Sequence, residues 1–185
     1  MRTGSQESGC CSIMNTPLLK TTPKMNYIDL SYTDLKDGTG RMVVLSVAGC
    51  SHHCEGCNKK YTWDFDGGKP FDEDAKKTMM SMMGEDDVVG LILTGGEPMD
   101  SYNVVANIIT DVKYIYTLKK IWLYTGYTLC DAAKKDVYAV LDKVDMVVDG
   151  PYMEELRDDT HPYKASKNQT IWKREGFVYN KSELN

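Results

Sequence analysis

Four short apolar runs, each ending in a glycine-bearing turn, constrain the fold of this chain more than any other feature of its sequence. They are Met42–Ala48 (MVVLSVA), Val88–Thr94 (VVGLILT), Lys119–Thr125 (KKIWLYT) and Val144–Asp149 (VDMVVD). The turns that follow carry Gly49-Cys50, Gly95-Gly96, Gly126 and Gly150. Near-continuous runs rich in β-branched or aromatic residues suit strands covered on both faces. Between them, Asp72–Met83, Ser101–Leu118 and Leu129–Leu141 have the length and spacing of helices. Strand–helix alternation predicts an α/β fold with a parallel sheet and right-handed crossovers. In that architecture the loops after the strands' C-terminal ends assemble the site, so all four turns are expected on one face. Glycine is ordinary in a turn. Four such turns in succession, with cysteines on the first, point to function.

Those cysteines are Cys50, Cys54 and Cys57, spaced C-x₃-C-x₂-C. The remaining three do not extend the pattern: Cys10 and Cys11 are adjacent in a polar segment, and Cys130 stands alone. A tight cluster of this kind reads as metal-binding or catalytic rather than as a disulfide framework. Three thiolates on a short loop suit three corners of a cubane and leave one iron able to take a further ligand, whereas a closed [4Fe–4S] cluster takes four cysteines. They equally suit a closed Cys₃His zinc site, with His52, His53 or His161 as fourth ligand. On the cysteines alone the two readings stand level.

Composition narrows the setting. With 185 residues, 42% hydrophobic and 26% charged, the chain fits one globular domain. Its net charge of −5 argues against a protein that coats nucleic acid. No segment reads as a membrane span or a secretory signal, so a cytoplasmic protein is expected. Residues 1–24 are rich in Ser, Thr, Gly and Pro without periodicity and are read as a disordered tail. Residues 25–185 are read as the functional domain.

The second turn continues as Thr94-Gly95-Gly96-Glu97-Pro98. Paired glycines let a ligand approach the backbone closely, and Glu97 adds an acceptor suited to an ammonium group. One strand–helix–strand unit after the three-cysteine loop, this segment gives the sequence its resemblance to the radical S-adenosylmethionine superfamily. Further segments narrow the likeness: Asp37-Gly38-Thr39-Gly40-Arg41, Thr62-Trp63, Ile121 to Tyr127, Val148-Asp149-Gly150-Pro151 and Ser166-Lys167-Asn168-Gln169. With these, the chain resembles the activating proteins of anaerobic ribonucleoside-triphosphate reductase, from about Met25 to Trp172. Two positions depart from that pattern: Asn58 stands where an aromatic often follows the third cysteine, and Ala165 where glycine is usual.

The resemblance implies a compact, incomplete β/α barrel. It implies a [4Fe–4S] cluster on Cys50, Cys54 and Cys57 whose fourth iron chelates the amino and carboxylate groups of S-adenosylmethionine. Gly95, Gly96 and Glu97 would hold the amino group, and Gly56, Cys57 and Asn58 would pass near the adenine. Thr125 and Asp149 are candidates for the ribose. One electron, from a low-potential donor such as a flavodoxin, would cleave the sulfonium to methionine and a 5′-deoxyadenosyl radical. That radical would take a hydrogen from a glycine of the reductase. No side chain is expected as general acid or base, because the cofactor carries the difficult chemistry. Competing readings are activation of another glycyl-radical enzyme, a small-molecule radical reaction, and a zinc-stabilised binding module.

Overall fold

The computed structural model describes residues 24–35, 39–129, 141–176 and 178–182. The strands are β1 (Asn26–Asp34), β2 (Arg41–Val47), β3 (Lys69–Pro70), β4 (Val88–Gly95), β5 (Lys120–Tyr124), β6 (Met146–Asp149), β7 (Thr170–Glu175) and β8 (Val178–Lys181). Among the described residues the α-helices are α1 (Glu73–Met83) and α2 (Tyr102–Ile115). All eight strands form one sheet in the order β3-β1-β2-β4-β5-β6-β7-β8.

The four expected strands are its centre. β2, β4, β5 and β6 pair in parallel, with Val47 opposite Gly95, Leu93 opposite Leu123 and Tyr124 opposite Val148. This register ends the strands nearly level, which brings their turns to one edge. The expectation of a parallel sheet is corrected outside that centre. β1 and β3 on one flank, and β7 and β8 on the other, run antiparallel, so the fold is mixed α/β. The flanking strands lack near-continuous apolar runs: β1 reads NYIDLSYTD and β8 reads VYNK. They also need no crossover helix, since an antiparallel pair can be closed by a short turn, and Glu175 pairs directly with Val178.

Side chains alternate across the sheet. Val43, Leu45, Val47, Leu91, Leu93, Ile121, Leu123 and Val147 form one buried cluster with Met79 and Met83 of α1 and Val105, Ile108, Ile109 and Val112 of α2. Alternate residues Val44, Ile92, Thr94 and Tyr124 line a cavity of about 560 Å³ on the opposite face. Beside it, Met146, Val148 and Ile171 pack with Trp122, Tyr124 and Tyr163. The apolar runs therefore do have two covered faces, one under helices and one around a cavity.

Asp72 caps α1, its Oδ1 accepting the N–H groups of Asp74 (3.1 Å) and Ala75 (2.9 Å). α2 begins one residue later than expected, after a short turn at Pro98–Ser101, and stops at Ile115 rather than Leu118. There Tyr116 leaves helical geometry (φ −119°, ψ 64°), and its hydroxyl donates to the Met80 carbonyl at 2.9 Å. Most of the helix expected over Leu129–Leu141, with Cys130, and nearly all of the tail expected over 1–24 lie outside the described residues.

Candidate cluster and cofactor site

After β2 the chain enters a loop that returns on itself. The Gly49 N–H donates to the Thr62 carbonyl (2.8 Å) and the Cys50 N–H to the Trp63 carbonyl (3.1 Å), so Thr62-Trp63 is the clasp of the cysteine loop. Thr62 is 1% exposed, and its hydroxyl donates to the Lys59 carbonyl at 2.8 Å. Within the loop His53 holds a left-handed φ of 46° and packs edge-on to Trp63, ring centroids 4.7 Å apart. The Cys57 N–H donates to the Cys54 carbonyl (3.2 Å) around Gly56, whose φ is 68°. Cys50 is buried and Cys54 and Cys57 are half-buried; all three are free and line the cavity.

Burial pushes the Cys50 thiol up, against the pull of the His52 and His53 N–H groups. It does the same to Cys54, with the Tyr152 N–H in opposition. Thiols in such surroundings become thiolates when a metal takes the proton's place. Among the described residues, no three or more His, Cys, Asp or Glu side chains gather around a single metal position. Three thiolates on one loop suit a cubane, which places each thiolate on a different iron. His52 is held by Glu97, and the His161 Nδ1 accepts the Tyr163 N–H at 3.1 Å. The donor set fits a cluster.

The β4 turn is pressed against the cysteine loop. The Gly96 N–H donates to the Val47 carbonyl (2.9 Å) and the Glu97 N–H to the Gly49 carbonyl (2.7 Å). Gly95 has a φ of 104°, where side chains are strained, and a Cβ on Gly96 would lie 2.1 Å from the Gly49 oxygen. Glu97, 1% exposed, joins three turns. Its Oε1 accepts from the Met99 N–H (2.9 Å) and the Thr125 hydroxyl (2.8 Å). Its Oε2 accepts from the Gly126 N–H (2.7 Å) and meets His52 Nε2 at 3.0 Å. A carboxylate offers about four lone-pair sites, and here all are taken from within the protein. Asp100 adds a second tie, accepting the Ser51 N–H (2.7 Å), the Ser51 hydroxyl (3.0 Å) and the Tyr127 hydroxyl (2.9 Å).

The later motifs clasp each other. The Gln169 Oε1 accepts the N–H groups of Ala165 (2.9 Å) and Ser166 (3.2 Å), and its Nε2 donates to the Gly150 carbonyl (3.1 Å). The Asn168 amide donates to the Pro151 carbonyl at 2.7 Å. Cys50, Cys54, Cys57, Asn58, Gly95, Gly96, Glu97, Thr125, Gly126, Gly150 and Gln169 thus surround one cavity. Gly56 and Asp149 are not among its lining residues; the Asp149 carboxylate accepts the Leu129 N–H at 2.6 Å. Sequence reasoning missed Lys59, Tyr124, Tyr152, Tyr163 and Lys164, which also line the cavity. Tyr124 falls in the Ile121–Tyr127 segment and in the alternation along β5, and burial drives its hydroxyl up.

Residues 36–172, and with them all four turns, match the family model described as a 4Fe-4S single cluster domain. The anaerobic ribonucleoside-triphosphate reductase-activating protein of Enterobacteria phage T4 is 34% identical over 157 residues, 84% of this chain and 98% of that protein. The proteins of the same name from Pasteurella multocida (strain Pm70) and Escherichia coli (strain K12) are 32% and 30% identical, each over 80% of this chain. They are covered over 98% and 97% of their own length. The chain belongs to this family. Its two departures from the family pattern acquire a setting: Asn58 lines the cavity, and Ala165 lies outside the left-handed region, so glycine is not required there.

Proposed function

We propose that this protein activates an anaerobic ribonucleoside-triphosphate reductase by generating a glycyl radical on it. Cys50, Cys54 and Cys57 would hold a [4Fe–4S] cluster, with S-adenosylmethionine on the open iron. The observation that carries this reading is the convergence of the three cysteines and the Gly95-Gly96-Glu97 turn on one cavity, joined through Glu97. When bound, the cluster and S-adenosylmethionine supply the one-electron chemistry needed to remove hydrogen from a partner's glycine.

The protein's own residues position and exclude. Gly95 and Gly96 leave backbone accessible for the cofactor's amino group, while the Glu97 carboxylate, already saturated, holds the three turns in place. Cys57 and Asn58, which line the cavity, would form the adenine side, with Gly56 turning the loop ahead of them. Val44, Ile92 and Tyr124 give that cavity an apolar wall against water. No general acid or base is assigned. The fold is read as an incomplete radical SAM barrel, spanning residues 25–185, supported by a parallel core whose sheet ends at β3 and β8. No described helix is long and apolar enough to cross a membrane. A cytoplasmic setting, with a flavodoxin-like electron donor, completes the reading.

Anaerobic reconstitution with metal and sulfide analysis, followed by mixing with the reductase, S-adenosylmethionine and dithionite, tests it. The expected result is roughly four irons per chain and a glycyl-radical signal in electron paramagnetic resonance. About one zinc per chain without sulfide or cofactor cleavage would sink the reading.

A further inference from the structure

We propose that the Lys59 side chain is a fixed counter-charge for the cluster and sets how readily the cluster takes an electron. This rests on the reading of Cys50, Cys54 and Cys57 as cluster ligands. Lys59 approaches the site in two ways. Its main-chain N–H points at the Cys57 sulfur, 3.4 Å away. Its half-buried side chain enters the cavity, where Nζ donates to the Thr94 hydroxyl at 3.3 Å.

Two other half-buried lysines hold a carboxylate. Lys76 pairs with Asp111 at 2.6 Å and Lys113 with Asp145 at 2.7 Å. Among the described residues no carboxylate lies within ion-pair distance of Lys59. The turn carboxylates Glu97 and Asp100 are committed elsewhere, Glu97 to its four partners and Asp100 to Ser51 and Tyr127. A half-buried cation without an anionic partner calls for a negative group in the same cavity.

A thiolate-ligated cluster is that group. Its potential follows net charge, hydrogen bonds to sulfur and exposure. A reductant passes one electron to the cluster, with no bond broken and no proton moved, and the added negative charge is stabilised by the nearby ammonium. Lys59 thereby favours the reduced form. It is a positioning residue for charge rather than a catalytic one.

The test compares wild type with K59M and K59R, each reconstituted anaerobically and matched for iron. The proteins are poised at one fixed solution potential without S-adenosylmethionine, and the reduced cluster is quantified by electron paramagnetic resonance. K59M should show about a tenfold lower ratio of reduced to oxidised cluster, equivalent to ~59 mV for one electron. K59R should stay within about twofold of wild type, because charge is what counts. K77M, which removes an exposed lysine of α1 paired with Asp74, should leave the ratio unchanged. An unchanged ratio in K59M overturns the proposal. So does an unchanged ratio with weakened binding of S-adenosylhomocysteine, which would assign the ammonium to a ligand carboxylate. If K59M takes up no iron, K59Q is read in its place. Should both neutral variants fail to load while K59R loads, Lys59 serves assembly rather than poise, and the proposal fails. Wild type without about four irons would instead sink the cluster reading itself.

Discussion

Glu97 shows how one buried side chain organises the site. Its carboxylate gathers donors from the turns after β2, β4 and β5, so it is a tie common to all three. E97Q places an NH₂ group where two donors already point, leaving at least one of them without an acceptor. An unsatisfied buried donor costs roughly 1–3 kcal/mol. The metal-free E97Q protein should therefore unfold at lower urea than wild type, and an unmoved midpoint would show that Glu97 is not the tie. Gly96 is constrained from the other side. A methyl group there meets the Gly49 backbone, which cannot swing away as a side chain would. G96A should cost about 1–3 kcal/mol and also lower iron uptake, because Gly49 adjoins Cys50; stable protein with full iron content would contradict this.

At the scale of elements, the family motifs prove to be contacts between segments. Thr62-Trp63 closes the cysteine loop onto Gly49-Cys50, and Asn168-Gln169 closes the chain before β7 onto Gly150-Pro151. The strand ends were legible because an apolar run followed by glycine is a local pattern. The antiparallel flanks were not, because β1 and β8 are partly exposed strands whose polar residues carry no periodic signal. Tyr179 anchors β8: its hydroxyl donates to the carbonyls of Leu141 (2.7 Å) and Val144 (2.8 Å), and burial pushes its ionisation up. The folded state thus favours the neutral phenol. That contribution is fully present below the ordinary tyrosine value of 10.0 and is lost as pH rises through and above it toward the folded value. Alkaline melts should show stability falling above about pH 10. Y179F should lower stability by about 1 kcal/mol near neutrality and flatten that alkaline decline, whereas an equally steep decline would assign it to other groups.

For the whole molecule, the cavity is made by four turns that a parallel sheet brings to one edge, and loss of any cluster ligand should disable it. C50A, C54A and C57A should each fail to retain iron after desalting and cleave no S-adenosylmethionine, while C130A should match wild type on both measures. Iron retained in C50A, or lost in C130A, would redraw the ligand set. The sequence by itself determined the cysteine loop, the strand–helix alternation, the glycine turns and the family, because each is carried by spacing within a short continuous segment. Only the tertiary structure decided that the Glu97 carboxylate is spoken for, that Asp149 turns to Leu129, and that Lys59 enters the cavity beside Thr94. Those outcomes depend on partners 28, 20 and 35 residues apart. Which side chains meet across such distances is set by strand register and loop closure, and neither is written in local pattern.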